Sequence, residues 1–213
     1  MTVYTLFGQT GGGSASGDNA SYTLGVQFTV SSVVTLTGIW WYSAATQNVL
    51  PAACCIFAET SPGSGSIVSG TQNNSPSWSG AAGSGWVRCS YSAPALSPGN
   101  TYKACVLGSG GGTPGWYSAT SHYWDTGSGS GGLASGPLSA PGNAGGDGGQ
   151  DTFVTPAAAL TYPASSFNAA NYWVDVEVTA SGVTPAGPAY TALMSGMLCL
   201  PSTLPTVTIT RRR

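Results

Sequence analysis

Charge is what this sequence has least of. Asp, Glu, Lys and Arg make up 6% of its 213 residues, five basic against seven acidic, with a single histidine, where an ordinary globular protein carries roughly 25% charged residues. Gly, Ser and Thr stand in their place, so the surface is hydroxyl, amide and glycine backbone. Such a surface gives little long-range steering, which argues against nucleic acid held through phosphate neutralisation. The basic cluster Arg211, Arg212 and Arg213 sits at the far end of the sequence and reads as a solvated tail. Long apolar runs are missing too. The longest candidate, residues 192–200, falls well short of the roughly 18 that a membrane helix needs, so no membrane insertion is expected. The opening MTVYTLFG lacks a positive n-region and an apolar h-region, so no secretion is expected.

Cysteine signatures are equally scarce. The five thiols, Cys54, Cys55, Cys89, Cys105 and Cys199, are odd in number and show no CxxC spacing. Strand alternation points Cys89 inward with Val87 and Tyr91, and Cys105 outward with Lys103, so a bridge between them would need side chains from opposite faces. All five are read as free, mostly as small core residues. No EF-hand spacing is present. Asp147 and Asp151 in GGDGGQD would suit calcium, which takes several oxygens, but a solvated loop outweighs that reading and no cofactor is expected.

What the sequence does have is a period of two. In residues 171–179, NYWVDVEVT, the side chains of Tyr172, Val174, Val176 and Val178 alternate with those of Trp173, Asp175, Glu177 and Thr179, which is the pattern of a strand with one face in a core and the other in water. Upstream, residues 3–7 predict a first strand and 11–19 a Gly-rich loop. Residues 22–30 predict a second strand with Leu24, Val26, Phe28 and Val30 inward and Gly25, Gln27 and Thr29 outward. Residues 33–42 end in Ile39, Trp40, Trp41 and Tyr42, apolar on both faces, so that strand should be central or covered. Residues 52–58 should neighbour it. Residues 59–84 read as one long loop, 86–91 and 101–107 as a pair joined by SAPALSPGN, and 108–151 as a second irregular region. Short strands with Gly/Pro-rich connections and no helical period predict an all-β chain, an antiparallel β-sandwich that is jelly-roll-like with long Gly-rich loops. Residues 1–180 form that domain. Residues 181–213, with Pro185, Pro188, Pro201 and Pro205 and a possible strand at 206–210, predict an extended C-terminal arm able to add a strand to a sheet edge and fasten the protein to a partner subunit.

Catalytic patterns are weak. Asp175 and Glu177 share a face, but two carboxylates on an exposed strand lack the contrast of environments that separates an acid from a base, so a solvated or loop-binding role is preferred. His122 has Ser121 and Asp125 beside it, yet no G-x-S-x-G elbow accompanies them. The expectation is no enzyme. The aromatic set Trp116, Tyr117, Tyr123 and Trp124 is more informative, because rings on a Gly-rich loop either receive a partner or fold back to cap the core. With Trp173 and Asp175 on the outward face of their strand, these are the candidate ligand contacts. Flat rings with neighbouring hydroxyls suit a sugar ring or a protein groove.

Taken together, LF at 6–7, LGVxF at 24–28, GI at 38–39 leading into aromatics, GW at 85–86, PGNTY at 98–102, PLxAP at 137–141, YPxxSF at 162–167 and NYWVDV at 171–176 resemble a bacterial and phage domain-of-unknown-function family of extracellular sandwich modules. The resemblance implies a sandwich like those of carbohydrate-binding modules, often attached to secreted hydrolases and adhesive proteins, and no established catalytic residue. The function expected is that of a phage virion surface protein, a head decoration or accessory protein or a minor tail protein, assembled in the host cytoplasm. Its partners would be other virion subunits, reached through the arm, and host surface glycans, with an oligomeric state in the assembly. The alternative is an extracellular carbohydrate-binding module of a bacterial cell-surface system.

Overall fold

The structure is a computed structural model that describes residues 1–180 except 17, 19, 93, 109–115 and 146–148. The predicted arm at 181–213, the strand at 206–210, Cys199, the arginine cluster and Asp147 lie outside the described residues. Within them the chain forms β1 (Thr2–Thr5), β2 (Ser14–Ala15), β3 (Tyr22–Val30), β4 (Val34–Ser43), β5 (Ala53–Ser61), β6 (Ser64–Ile67) and β7 (Gly85–Ser90). It continues through β8 (Ala95–Leu96), β9 (Thr101–Gly108), β10 (Ser118–Ala119), β11 (Leu133–Ser135), β12 (Leu138–Ala140), β13 (Thr152–Val154) and β14 (Val174–Ala180). No α-helix occurs among the described residues.

One sheet runs β1-β14-β4-β7 with β8 also on β4, and a second runs β11-β12-β3-β9-β5-β6 with β13 also on β3. Strands β2 and β10 form a small separate ribbon. Every pairing in these sheets is antiparallel. The result is an antiparallel β-sandwich, as the alternation predicts. Leu24, Val26, Phe28 and Val30 of β3 share one core with Val174, Val176 and Val178 of β14. Strand β4 contributes Val34, Leu36, Ile39 and Trp41 to that core. Leu36 and Ile39 are three apart, which a flat strand would send to opposite faces. A bulge opposite Glu177 and Val178 leaves Thr37 unpaired in the register and restores the inward aim of Ile39.

Several expectations are corrected. Strand β5 does not neighbour β4; it lies in the other sheet, between β9 and β6. Strands β7 and β9 do not pair with each other either, because the segment between them carries β8 onto β4 before the chain crosses to the second sheet. SAPALSPGN is thus a crossover rather than a hairpin turn. The expected long loop at 59–84 begins later than predicted: β5 runs on to Ser61 and turns through Gly63, at φ 76°, into β6.

The faces read as water-facing are covered. On the second sheet, Cys55, Phe57 and Cys105 pack with Ile67, Leu160 and Tyr162 into a smaller apolar cluster. The chain after β13 lies over this face. Lys103, predicted to point outward to solvent, is fully buried there, its Nζ donating to Pro163 O at 2.8 Å with the Tyr162 ring centroid 4.5 Å away. Gln27 is buried as well, held through its backbone by both ends of the Gln150 amide. Cys54, Cys55, Cys89 and Cys105 are free thiols and buried.

Candidate functional site

Asp175 and Glu177 occupy the covered outer face of the first sheet. Asp175 has 0% exposure. Its Oδ1 accepts from Leu6 N (2.8 Å) and Val176 N (2.7 Å), and its Oδ2 from Phe7 N (3.0 Å) and Gln9 Nε2 (3.2 Å). The carboxylate therefore latches the N-terminal loop onto the sheet. Burial pushes its carboxyl up to about 7, while the Phe7, Leu6 and Val176 N–H groups pull it down. Glu177 instead meets Arg88, whose Nε lies 3.1 Å from both carboxylate oxygens, and accepts from Thr37 Oγ1 and Trp40 Nε1. Burial pushes Glu177 up, and the bonds from Arg88, Thr37 and Trp40 more than reverse it, leaving the group below its ordinary value. Of the expected roles, solvated or loop-binding, Asp175 takes the loop-binding one and the solvated one is corrected: each carboxylate is committed to the fold, one to a loop and one to an ion pair.

The loop aromatics are corrected in the same sense. Trp116 and Trp124 both have 0% exposure, and Trp173 and Tyr117 are buried. Trp116 stacks on Trp41 at 5.6 Å and 24° and donates its Nε1 to Ala20 O. It lies against Gly108, where a Cβ would stand 2.2 Å from the indole, so the close approach requires glycine at that position. Trp173, at φ 57°, packs with Trp124 and Tyr123 around Phe7, whose ring centroid lies 5.5 Å from that of Trp173. The Gly-rich loop comes close to the Trp173 indole, where a Cβ at Gly13 would stand 2.6 Å from Trp173 Nε1. Of the six candidate contacts, Tyr117 alone lines a cleft described below.

His122 and Asp125 stand at the exposed surface, with Nδ1 and Oδ2 3.0 Å apart. Asp151, expected in a solvated loop, is fully buried, and its Oδ2 accepts from Tyr172 N at 2.8 Å. Burial holds its carboxyl well above the usual carboxylate range. Among the described residues no group of three or more His, Cys, Asp or Glu side chains is placed to share a metal ion.

Tyr22, Leu24, Tyr117, Phe153, Phe167 and Tyr172, with Asp18, line a cleft of about 290 Å³. Apart from Tyr117, the rings that line this cleft were not among the candidate contacts. Four of its rings form a closed circuit: Tyr22 to Tyr117 (5.3 Å, 74°), Tyr117 to Tyr172 (5.9 Å, 76°), Tyr172 to Phe153 (6.4 Å, 80°) and Phe153 to Tyr22 (5.8 Å, 76°). Each wall stands nearly perpendicular to the next. Tyr22 comes from the first position of β3 and Phe153 from β13 beside it, in register with Leu24. Tyr117 is fixed by the ribbon that follows it and by its carbonyl accepting from Ser16 N. Tyr172 is fixed by Asp151 and by the paired backbone bonds between Thr120 and Asn171.

Asp18 sets the polarity of the cleft. Its Oδ2 accepts from Tyr117 Oη, from Tyr22 Oη at 3.3 Å and from Ser16 Oγ at 3.3 Å, while Oδ1 accepts from Ala20 N at 3.3 Å. Burial, then Asp18, raises both Tyr22 and Tyr117, so these phenols remain protonated donors. Phe167 lines the cleft with 62% of its surface exposed. A second cleft of about 350 Å³, lined by residues such as Gln72, Asn74, Leu107 and Leu160, has neither a ring nor a charge in its walls.

Fold and cleft together define an all-β sandwich domain with an aromatic cleft beside the start of β3. The chain belongs to the family described as Domain of unknown function (DUF4082), whose model matches residues 9–174. No curated protein and no solved structure matches it.

Proposed function

We propose that this chain is a non-catalytic attachment module on a virion surface, a head decoration or accessory protein or a minor tail protein, whose sandwich holds a host surface ligand in the Tyr22–Tyr117–Phe153–Tyr172 cleft. The observation that carries the reading is the contrast between that cleft and the remaining polar groups. Asp175 and Glu177 are spent on holding the fold, while the cleft gathers apolar ring faces and one oriented carboxylate at solvent, the composition of a small-ligand site. The four buried free thiols suit assembly in a reducing cytoplasm. The alternative setting, a carbohydrate-binding module of a bacterial surface system, would use the same cleft.

Co-sedimentation of the purified full chain with isolated bacterial envelopes tests the role of the cleft. Retention that Phe167→Ala and Phe153→Leu abolish supports the attachment reading. Retention indifferent to both substitutions would overturn it, as would hydrolysis of envelope polymers that Glu177→Gln abolishes with the fold intact. Mass spectrometry of purified particles separates the two settings, since the virion reading requires the chain to be found in them.

A further inference from the structure

The cleft is a box rather than a platform, and that difference selects a ligand. A sugar ring stacks on one broad ring face, whereas Tyr22, Tyr117, Tyr172 and Phe153 follow one another at 74° to 80° around one cleft. Aromatic faces carry the negative end of the ring quadrupole, and several converging on one point attract a cation lying within about 6 Å of each centroid. Asp18 adds a carboxylate at the same opening. Its hydrogen bonds from the Tyr22 and Tyr117 hydroxyls push electron density into those two rings, which strengthens their faces for a cation.

The type of cation follows from what is left over. Both Asp18 oxygens are already occupied, by Tyr117, Tyr22, Ser16 and Ala20, and the rest of the lining, Leu24, Phe153, Phe167 and Tyr172, is mostly apolar. A primary ammonium is strongly hydrated and brings three donors that would find few free acceptors here. A phosphate or carboxylate would face Asp18 with like charge. A quaternary ammonium has a diffuse charge, an apolar surface and no hydrogen to donate. At about 290 Å³ the cleft lies at the small end of ligand sites, fit for a headgroup rather than an oligosaccharide.

We propose that the cleft bounded by Tyr22, Tyr117, Phe153, Tyr172 and Phe167, with Asp18 at its opening, binds a trimethylammonium group such as that of choline. The proposal rests on the attachment reading and names the chemistry of its ligand. Such a group reaches a surface on a choline-bearing polymer or on a phosphatidylcholine headgroup, and both present it on a flexible stem.

Isothermal titration of the full chain with choline and with its neutral isostere 3,3-dimethyl-1-butanol separates cation recognition from apolar filling. Choline should bind at least about tenfold more tightly than the isostere, and Phe167→Ala and Asp18→Asn should each weaken it about five- to tenfold. Circular dichroism on the same samples checks that the variants are folded. Equal binding of the two compounds, or no binding of choline, overturns the proposal. Vesicles of phosphatidylcholine against phosphatidylglycerol, and choline-bearing against choline-free teichoic acid, then assign the source. Cleft-dependent envelope binding without choline binding would sink this inference and leave the attachment reading standing. Envelope binding indifferent to the cleft substitutions would overturn both.

Discussion

Around Phe7 the rings of Trp173, Trp124, Tyr123 and Trp86 lie with centroids 5.5 to 6.2 Å away. The four rings of the cleft stand 5.3 to 6.4 Å from one another, nearly the same spacing. In the first cluster a side chain of the protein occupies the middle, delivered there because Asp175 holds the N–H groups of Leu6 and Phe7. In the second the rings surround a solvent-reached volume with a carboxylate at its opening. Aromatic density alone therefore does not mark a binding site. What separates the two is whether a segment of the chain is tethered into the box.

The largest effect should come from the filled cluster. Trp173→Ala removes an indole that touches Phe7, Tyr42, Trp86 and Tyr123 and should cost about 3 to 5 kcal/mol in denaturant unfolding. A loss below about 1 kcal/mol would mean that this cluster is as open as the cleft. Next comes the tether. Asp175→Asn must turn an amide nitrogen toward buried N–H donors on one side, and should cost about 1 to 3 kcal/mol. Faster hydrogen exchange at Leu6 and Phe7 is expected with it; unchanged exchange there would show that the loop is held by its apolar contacts instead.

A smaller effect concerns pH and lies outside both clusters. Glu177 is held below its ordinary value, so the unfolded chain takes up its proton first as acid is added. The Arg88 pair thus contributes stability that is present above the unfolded value, near 4.5, and is lost as pH falls through the depressed folded value. Glu177→Gln should flatten the decline in thermal midpoint on that acid side. An unaltered acid limb in the variant would assign the loss to other carboxylates.

The sandwich was legible because its core strands alternate cleanly: Leu24, Val26, Phe28, Val30 and Val174, Val176, Val178 meet as their spacing requires. What the pattern could not show was which outward faces are covered. Alternation reports that Asp175, Glu177, Gln27 and Lys103 leave the core on the far side of their strands, but the residues that bury them arrive from distant parts of the chain, Leu6 to Asp175 being 169 positions apart. Sheet membership was hidden for a related reason. SAPALSPGN has the composition of a turn, and the β8 bridge that makes it a crossover is two residues long. The cleft was the least legible part, because Asp18, Tyr22, Tyr117, Phe153 and Tyr172 come from four separate stretches. Tyr117 was reached through the density of aromatics around it, the same signal that pointed wrongly to the buried Trp116 and Trp124.

The smallest effect on stability should accompany the largest effect on binding. Phe167 keeps 62% of its surface exposed, so replacing it removes little packing, and Phe167→Ala should shift unfolding free energy by no more than about 0.5 kcal/mol. In the filled cluster no such substitution exists, because each ring there both packs and lines. If the cleft is a site, Phe167 is the residue at which function and stability come apart: the variant should melt with the parent protein and bind its ligand about five- to tenfold less tightly. Thermal melting and titration on one preparation decide the matter. A variant destabilised by more than about 1 kcal/mol would show Phe167 closed over the cleft as Phe7 closes the other cluster, and unaltered binding would place the ligand elsewhere on the sandwich.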